Sequence, residues 1–323
     1  MDLLDALAEP ALVLAGNRVI AANPPALALL GEHVVDEDLR LTLRHPDAVA
    51  LLQSERPGAI EMPGLRDAKS RWQLRVARAG RGQRLVQLTD VSAQAATDRA
   101  RTDFVANASH ELRTPLTAIR GFVETLQDED TAADPHLRAR FLGIVAREAQ
   151  RMERLIEDLI ELSRIEAEKA VPPSGLIDLA ALVADVVSEY QGADGAPDAQ
   201  LVVNLAEAAA VRADPVQLAQ VVRNLVDNAR RYGGGSPIRI RTGWSGDQAS
   251  ISVTDSGAGI DAHHLPRLTE RFYRVDAARS RETGGTGLGL AIVKHIVERH
   301  KGRLVIESRK GQGTTVTVLL PPA

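Results

Sequence analysis

Four short stretches of this chain combine residue types that can do chemistry. The first is Ser109-His110-Glu111-Leu112-Arg113-Thr114-Pro115. On a helix, two positions are about 200° apart, so His110 points away from the face that carries Ala108 and Leu112. An imidazole there can act as a nucleophile if a neighbouring carboxylate, Glu111, takes its proton. Pro115 has no amide hydrogen to offer the carbonyl of Glu111, so a bend is expected beside the pair. Taken alone, an exposed histidine is most often only a surface residue. The second stretch is Asn224-Leu225-Val226-Asp227-Asn228-Ala229-Arg230-Arg231-Tyr232. Asn224 and Asn228 share a helical face. Their neutral carbonyls suit a magnesium ion that keeps its waters and binds mainly through phosphates. Arg231 offers a phosphate contact and Tyr232 a ring for a base; the plain alternative is a helix end stopped by Gly233-Gly234-Gly235.

The third stretch, Asp255-Ser256-Gly257-Ala258-Gly259-Ile260-Asp261, follows an alternating strand. Its Asp can accept a hydrogen bond from an exocyclic amine, and its glycines let backbone approach a ligand. Gly257, Gly259 and Ala262 formally fit a dinucleotide fingerprint. The strand before them alternates polar and apolar, whereas a buried parallel strand is nearly continuously apolar, so the match is discounted. The fourth is Gly284-Gly285-Thr286-Gly287-Leu288-Gly289-Leu290-Ala291, ahead of an apolar helix. Amides at a helix start favour phosphate. The absence of a Lys-Ser/Thr ending excludes a P-loop. Arg271-Phe272-Tyr273-Arg274 and the polar residues up to Thr283 form a candidate lid.

These stretches need elements to hold them. Residues 1–92 read as short strands and helices: Ala11–Leu14 and Arg18–Ala22 flank a Gly16-Asn17 turn, Asn23-Pro24-Pro25 opens a helix, and Trp72–Val76 and Arg84–Leu88 alternate as strands. Residues 93–170 change character. Apolar residues at 104, 105, 108, 112, 116, 119, 123 and 126, and again from Leu137 to Ile165, repeat every three or four positions, predicting a helical hairpin that turns near Asp128–Pro135. Two helices cannot bury both stripes, so a second copy is expected to complete a four-helix bundle. Val171-Pro172-Pro173-Ser174-Gly175 punctuates the chain. Residues 171–323 mix helices with strands at 201–205, 238–241, 250–255, 303–308 and 314–320. Asp214, Pro215 and Gln217 mark a clean helix start with a capping box.

Composition narrows the class. The 323 residues carry 39 Lys plus Arg against 43 Asp plus Glu, a net charge of -4, which excludes affinity for nucleic acid through an overall basic surface. No apolar run approaches the roughly 20 residues of a membrane span, and no secretory signal opens the chain. The lack of cysteine removes disulfides, thiolate zinc sites and a thiol nucleophile, and suits a reducing compartment. His33 and His45 are the only first-domain histidines that could ligate a haem, and surface roles are commoner for such residues.

In order and spacing the four stretches resemble the two-component sensor histidine kinases, from about residue 98 to the C-terminus. Phe104–Leu116 resembles the family's H box, Asn224–Tyr232 its N box, Asp255–Ile260 its G1 box, Arg271–Arg274 its F box and Gly285–Leu290 its G2 box. The first 92 residues are more distantly similar to a PAS sensor domain, through Ala21-Ala22-Asn23 and Asp90-Val91-Ser92. The layout is similar to phosphate-regulon-type sensors, which usually carry a membrane segment. Either this is a soluble, cytoplasmic member or its membrane part lies outside the chain. The resemblance implies three parts: an α+β PAS-like sensor domain (1–92), an all-α hairpin forming a dimeric four-helix bundle (93–170), and an α/β-sandwich ATP-binding domain of the Bergerat type (171–323). It implies that His110 is autophosphorylated from Mg2+-ATP with Glu111 as base, and that an aspartate of a response regulator then receives the phosphoryl group. Asn228, supported by Asn224, would hold magnesium. Arg231 would touch phosphate, Tyr232 would pack on adenine and Asp255 would bind the adenine amine. Gly257, Gly259, Gly285, Gly287, Leu288 and Gly289 would shape the loops, and Arg274 would stabilise the transferred group. Thr114, one turn after His110, implies an additional phosphatase activity toward the regulator. Arg230 and Arg231 stand where the family more often has an apolar residue and Lys, which changes the geometry of the phosphate contact. Two other readings stay open: a nucleotide-binding scaffold that signals without phosphorylating itself, and another ATPase of the same nucleotide fold.

Overall fold

The computed structural model describes residues 3–54, 56–65, 67, 70–80, 82–128, 134–167, 173–193, 201–206, 210–276 and 285–323. Two compact units are present, Met1–Ala106 and Asn107–Ala323.

In the first unit, β1 (Ala11–Ala15) and β2 (Arg18–Ala22) form the expected hairpin, with Gly16 at φ 60 in the turn. Asn23 then caps α1 (Pro24–Leu30). Its fully buried amide accepts from the backbone of Ala11 and Ala26 and donates to the carbonyls of Leu7 and Glu9, so no polar atom is stranded. Two short helices, α2 (Leu39–Thr42) and α3 (Pro46–Gln53), lead to β3 (Gly58–Pro63), β4 (Arg71–Gly80) and β5 (Gln83–Asp90). The antiparallel sheet has the order β2-β1-β5-β4-β3. Its inward residues, including Leu12, Leu14, Leu74, Val86 and Leu88, close on Leu39 and Leu52 of the helices. Arg84, inside this core, gives its guanidinium to the carbonyls of Gly16 and Leu52 and to Asn17, tying the first turn to the end of α3. The closing Asp90-Val91-Ser92 is knit to β4 through Ser92, whose hydroxyl bonds the backbone of Arg71.

Helix α4 (Ser92–Leu126) begins in this unit and continues into the second, unbroken across Pro115, where the sequence suggests a bend. With α5 (Pro135–Ala167) it makes the hairpin, joined by Phe122 and Phe141 rings 5.3 Å apart. Residues 129–133 of its turn lie outside the described residues, as do 168–172, which include the first two residues of the expected linker. Part of the hairpin's apolar surface stays open, with Leu116, Val123, Leu142, Ile156 and Ile160 exposed, while Leu155, Leu162 and Ile165 are buried. Among the described residues, no helix is long and apolar enough to cross a membrane.

The rest of the unit is a two-layer α/β sandwich. After a two-stranded ribbon of β6 (Leu176–Asp178) with β8 (Ala210–Arg212), the main sheet combines β7 (Leu201–Leu205), β9 (Ile238–Ser245), β10 (Gln248–Asp255), β11 (Arg303–Arg309) and β12 (Gly313–Leu320) in the order β11-β12-β10-β9-β7. Among the described residues, only β7 and β9 run parallel. Alternate residues of β9 and β10 are buried, and β10 lies between antiparallel neighbours, so the loop after it is not a dinucleotide-binding turn. Helices α6 (Leu179–Ala193), α7 (Pro215–Tyr232) and α8 (Gly289–Arg299) pack on the sheet, and α8 also packs on α5.

Candidate active site

Helix α7 starts as its sequence suggests, with Pro215 in the first turn and Asp214 accepting from the amides of Val216 and Gln217 at 3.0 and 3.2 Å. The capping box is not closed. The amide of Asp214 donates to Nε2 of His300 at 3.1 Å, and Gln217 Oε1 is buried without a partner. His300, buried at the end of α8, bonds the Ile296 carbonyl through Nδ1 at 2.7 Å. It therefore clips the end of α8 to the start of α7, as a neutral ring that donates from Nδ1 and accepts at Nε2. Burial pushes its pKa below the ordinary 6.5, against the pull of the Ile296 bond and of Asp214 and in line with nearby Arg299. The unfolded chain therefore takes up the proton first as pH falls. This contribution is complete above the ordinary value and is lost below it. The urea midpoint of this unit is expected to fall between about pH 7.5 and about pH 5.5, and His300→Gln should flatten that slope.

The clip matters because α7 and α8 bound a cavity of about 440 Å³. Asn224 and Asn228 line it from one side, as their shared face requires. Opposite them stands Gly289 at the start of α8: a Cβ there would lie 3.5 Å from Asn224 Oδ1 and 3.8 Å from Asn228 Nδ2. Arg231 and Tyr232 line the same cavity at the end of α7. Asp255, at the end of β10, accepts the Gly257 amide at 2.8 Å. Burial pushes its carboxyl up, opposed by the Gly257 and Thr314 amides. Gly257 is backed against α7, where a Cβ would come within 2.1 Å of the Tyr232 carbonyl, while Gly259 lines the cavity.

Gly285 and Gly287 line the far side, and Leu288 is buried behind it. Gly287 has φ 75 and faces Phe272, itself left-handed at φ 63. Phe272 donates its amide to the Gly287 carbonyl at 2.9 Å, and any Cβ on Gly287 would meet the Phe272 backbone at 2.9 Å. The next residue, Tyr273, is fixed by His264 Nδ1 at 2.6 Å and by the Arg267 guanidinium 4.2 Å above its ring. Residues 277–284, which include most of the candidate lid and Gly284, lie outside the described residues.

The cavity offers hydrogen-bond donors to a ligand rich in oxygen and negative charge. Asn224 Nδ2 is buried with no hydrogen-bond partner, in a cavity that is also lined by Arg154 of α5, Arg231 of α7, Arg274 of the loop and the glycine turn of a helix start. A nucleotide triphosphate fits these donors. Beside a triphosphate, the side-chain amide of Asn228 would suit a magnesium ion that binds mainly through phosphate.

His110 is exposed on α4, as is Thr114, whose hydroxyl donates to the His110 carbonyl at 3.2 Å. Neither lines the cavity. Glu111 connects the two places: its Oε2 accepts from Arg274 Nη2 at 2.9 Å, and Arg274 also lines the cavity. Arg274 is 8% exposed and its Nε has no hydrogen-bond partner. Three residues of α5 complete the junction. Arg151 Nη2 donates to the same Glu111 oxygen at 3.2 Å. Asp158 accepts from the Thr286 hydroxyl at 2.6 Å, with burial pushing its carboxyl up, and Glu166 pairs with Arg271 and, at 3.5 Å, with His295. Sequence reasoning missed all three. Asp158 and Glu166 read as the solvated face of a helix, but Arg151 stands four residues before Leu155 on the apolar stripe, a signal that was legible.

The chain is similar to known proteins over most of its length. Residues 213–323 match the family of histidine kinase-, DNA gyrase B-, and HSP90-like ATPases, and residues 100–168 match the His Kinase A (phospho-acceptor) domain. The chain is 39% identical over 285 residues to the phosphate regulon sensor protein PhoR of Pseudomonas aeruginosa, covering 87% of this chain and 64% of that one. It is 37% identical over 238 residues to the sensor protein kinase WalK of Staphylococcus haemolyticus, covering 72% and 39%. The solved structure of histidine kinase ThkA in complex with response regulator protein TrrA shares the fold, with a TM-score of 0.56 at 20% identity over 98% of this chain and 96% of that one. The chain belongs to the two-component sensor histidine kinases. It spans 64% and 39% of the length of the two curated relatives.

Proposed function

We propose that this chain autophosphorylates His110 from Mg2+-ATP, passes the phosphoryl group to an aspartate of a response regulator, and dephosphorylates that regulator. The observation that carries the reading is Glu111. It adjoins an exposed histidine in sequence and shares a hydrogen bond with an arginine of the cavity wall.

In this mechanism the His110 ring attacks the terminal phosphorus. A P–N bond forms, the bridging P–O bond breaks, and ADP leaves. Glu111 takes the proton from the other ring nitrogen. Arg274 and Arg231 balance charge on the phosphoryl oxygens, and Arg274 holds an unused Nε for that purpose. Asn228 and Asn224 would hold the magnesium ion, which supplies neutralisation of the phosphate charge. Asp255 orients the base by accepting from its amine, and Tyr232 packs on it.

The open stripe at Leu116, Val123, Ile156 and Ile160 supports a homodimer through the hairpin. The first unit, whose sheet is closed on one face by helices, supports a PAS-like sensor role, and the chain divides by function at about residues 92 and 170. Transfer supplies the test. Chain labelled from ATP is mixed with the receiver domain of its regulator, and label should leave His110 for the receiver; label that stays put contradicts the transfer step. Thr114→Ala should slow hydrolysis of phosphorylated receiver by about 10-fold or more, since it removes a hydroxyl one turn from His110 that can place a water. Autophosphorylation should fall far less. Equal loss of both would contradict the phosphatase role.

A further inference from the structure

The buried residues of α5 are Arg151, Leu155, Leu162 and Ile165. Their spacing puts them on one stripe, three aliphatic side chains and one guanidinium. The Arg151 side chain is 8% exposed. Removing that charge from water is costly unless a carboxylate meets it, and a purely structural stripe would be served better by Met or Leu. Arg151 is met by two carboxylates. Nη2 donates to Glu111 Oε2 at 3.2 Å, and Nη1 lies 3.7 Å from Glu148 Oε2 on its own helix.

The same Glu111 oxygen receives Arg274 at 2.9 Å. The two arginines differ in what carries them. Arg274 follows the left-handed Phe272 in a loop of the nucleotide cavity, so it travels with that cavity. Arg151 is on the hairpin with Glu111, so its bond does not depend on where the cavity is. Both bonds fall on Oε2, which leaves Oε1 to take a proton.

We propose that Arg151 is a positioning residue for the general base. It pins Oε2 of Glu111 to the hairpin, so that Oε1 keeps one orientation toward the His110 proton whether or not Arg274 is engaged. The inference rests on the reading of Glu111 as that base.

The test uses the full chain with Mg2+-ATP and initial rates of His110 labelling, alongside equilibrium binding of a fluorescent ATP analogue. Arg151→Met keeps the length and volume of the side chain and suits the stripe, so the variant should fold with undiminished stability. Its kcat should fall about 10-fold, with KM for ATP and analogue affinity within about 2-fold of the wild type. Arg151→Lys, which can still make one charged bond, should recover most of that loss. In a Glu111→Ala background, Arg151→Met should have no further effect, because it acts through the missing carboxylate. An Arg151→Met loss that persists undiminished in that background, or that falls on KM, overturns the proposal and leaves the kinase reading intact. A wild type that binds the analogue but takes no label overturns both.

Discussion

His110→Gln is expected to abolish acid-labile phosphate incorporation, a fall of about 1,000-fold or more to the detection limit, because it deletes the nucleophile itself. Nothing else should change much. The side chain is exposed on α4, so stability should stay within about 0.5 kcal/mol of the wild type. It does not line the nucleotide cavity, so affinity for ATP should hold. This separation of binding from labelling makes the variant informative. Scintillation counting of denatured protein, with calorimetry for ATP, reads both quantities. Label that survives would move the acceptor elsewhere.

The second large effect is expected at Asn228. Its amide faces the start of α8 across the cavity, beside Asn224. Truncation to Ala would remove one of the two neutral amide oxygens proposed to hold magnesium, Asn224 supplying the other; Asp227 lines the cavity too, but its carboxylate receives the Tyr190 hydroxyl at 2.8 Å. Labelling should fall by about 100-fold, the scale set by loss of one preorganised polar group from a charged transition state. The magnesium concentration for half-maximal rate should rise as well. An Asn228→Ala rate that matches the wild type across a magnesium titration would remove the residue from the mechanism.

Both predictions start from motifs that are legible in the amino-acid sequence, for a physical reason. Gly287 and Gly259 need backbone that side chains rarely adopt, Asp214 and Pro215 announce a helix start, and the spacing of Asn224 and Asn228 fixes their shared face. Such local constraints are written in neighbouring residues. The first hairpin and the strands around Asp255 are readable from turn chemistry and alternation. Strand β3 is not: its burial alternates, but Ile60 and Met62 are its only large apolar residues and it ends in Pro63. The three-residue β6 and β8 carry too few positions to show any period. The junction between the hairpin and the cavity is hidden in a different way. The Arg274–Glu111 and Thr286–Asp158 bonds join residues 163 and 128 positions apart, and helical periodicity says which face a residue is on without saying what will cover it. The capping box shows the same limit. Asp214 and Gln217 have the right types and spacing, yet the Asp214 amide goes to His300, brought in from 86 residues away.

In the proposed reaction the phosphoryl group of ATP comes to rest on His110. The most direct measurement is to incubate the full chain with γ-labelled ATP and magnesium, digest it under alkaline conditions that preserve phosphohistidine, and map the label by peptide mass spectrometry. A single labelled peptide is expected, containing His110 and carrying the phosphate on its ring. Label on any other residue, or none on a chain that demonstrably binds ATP, would contradict it.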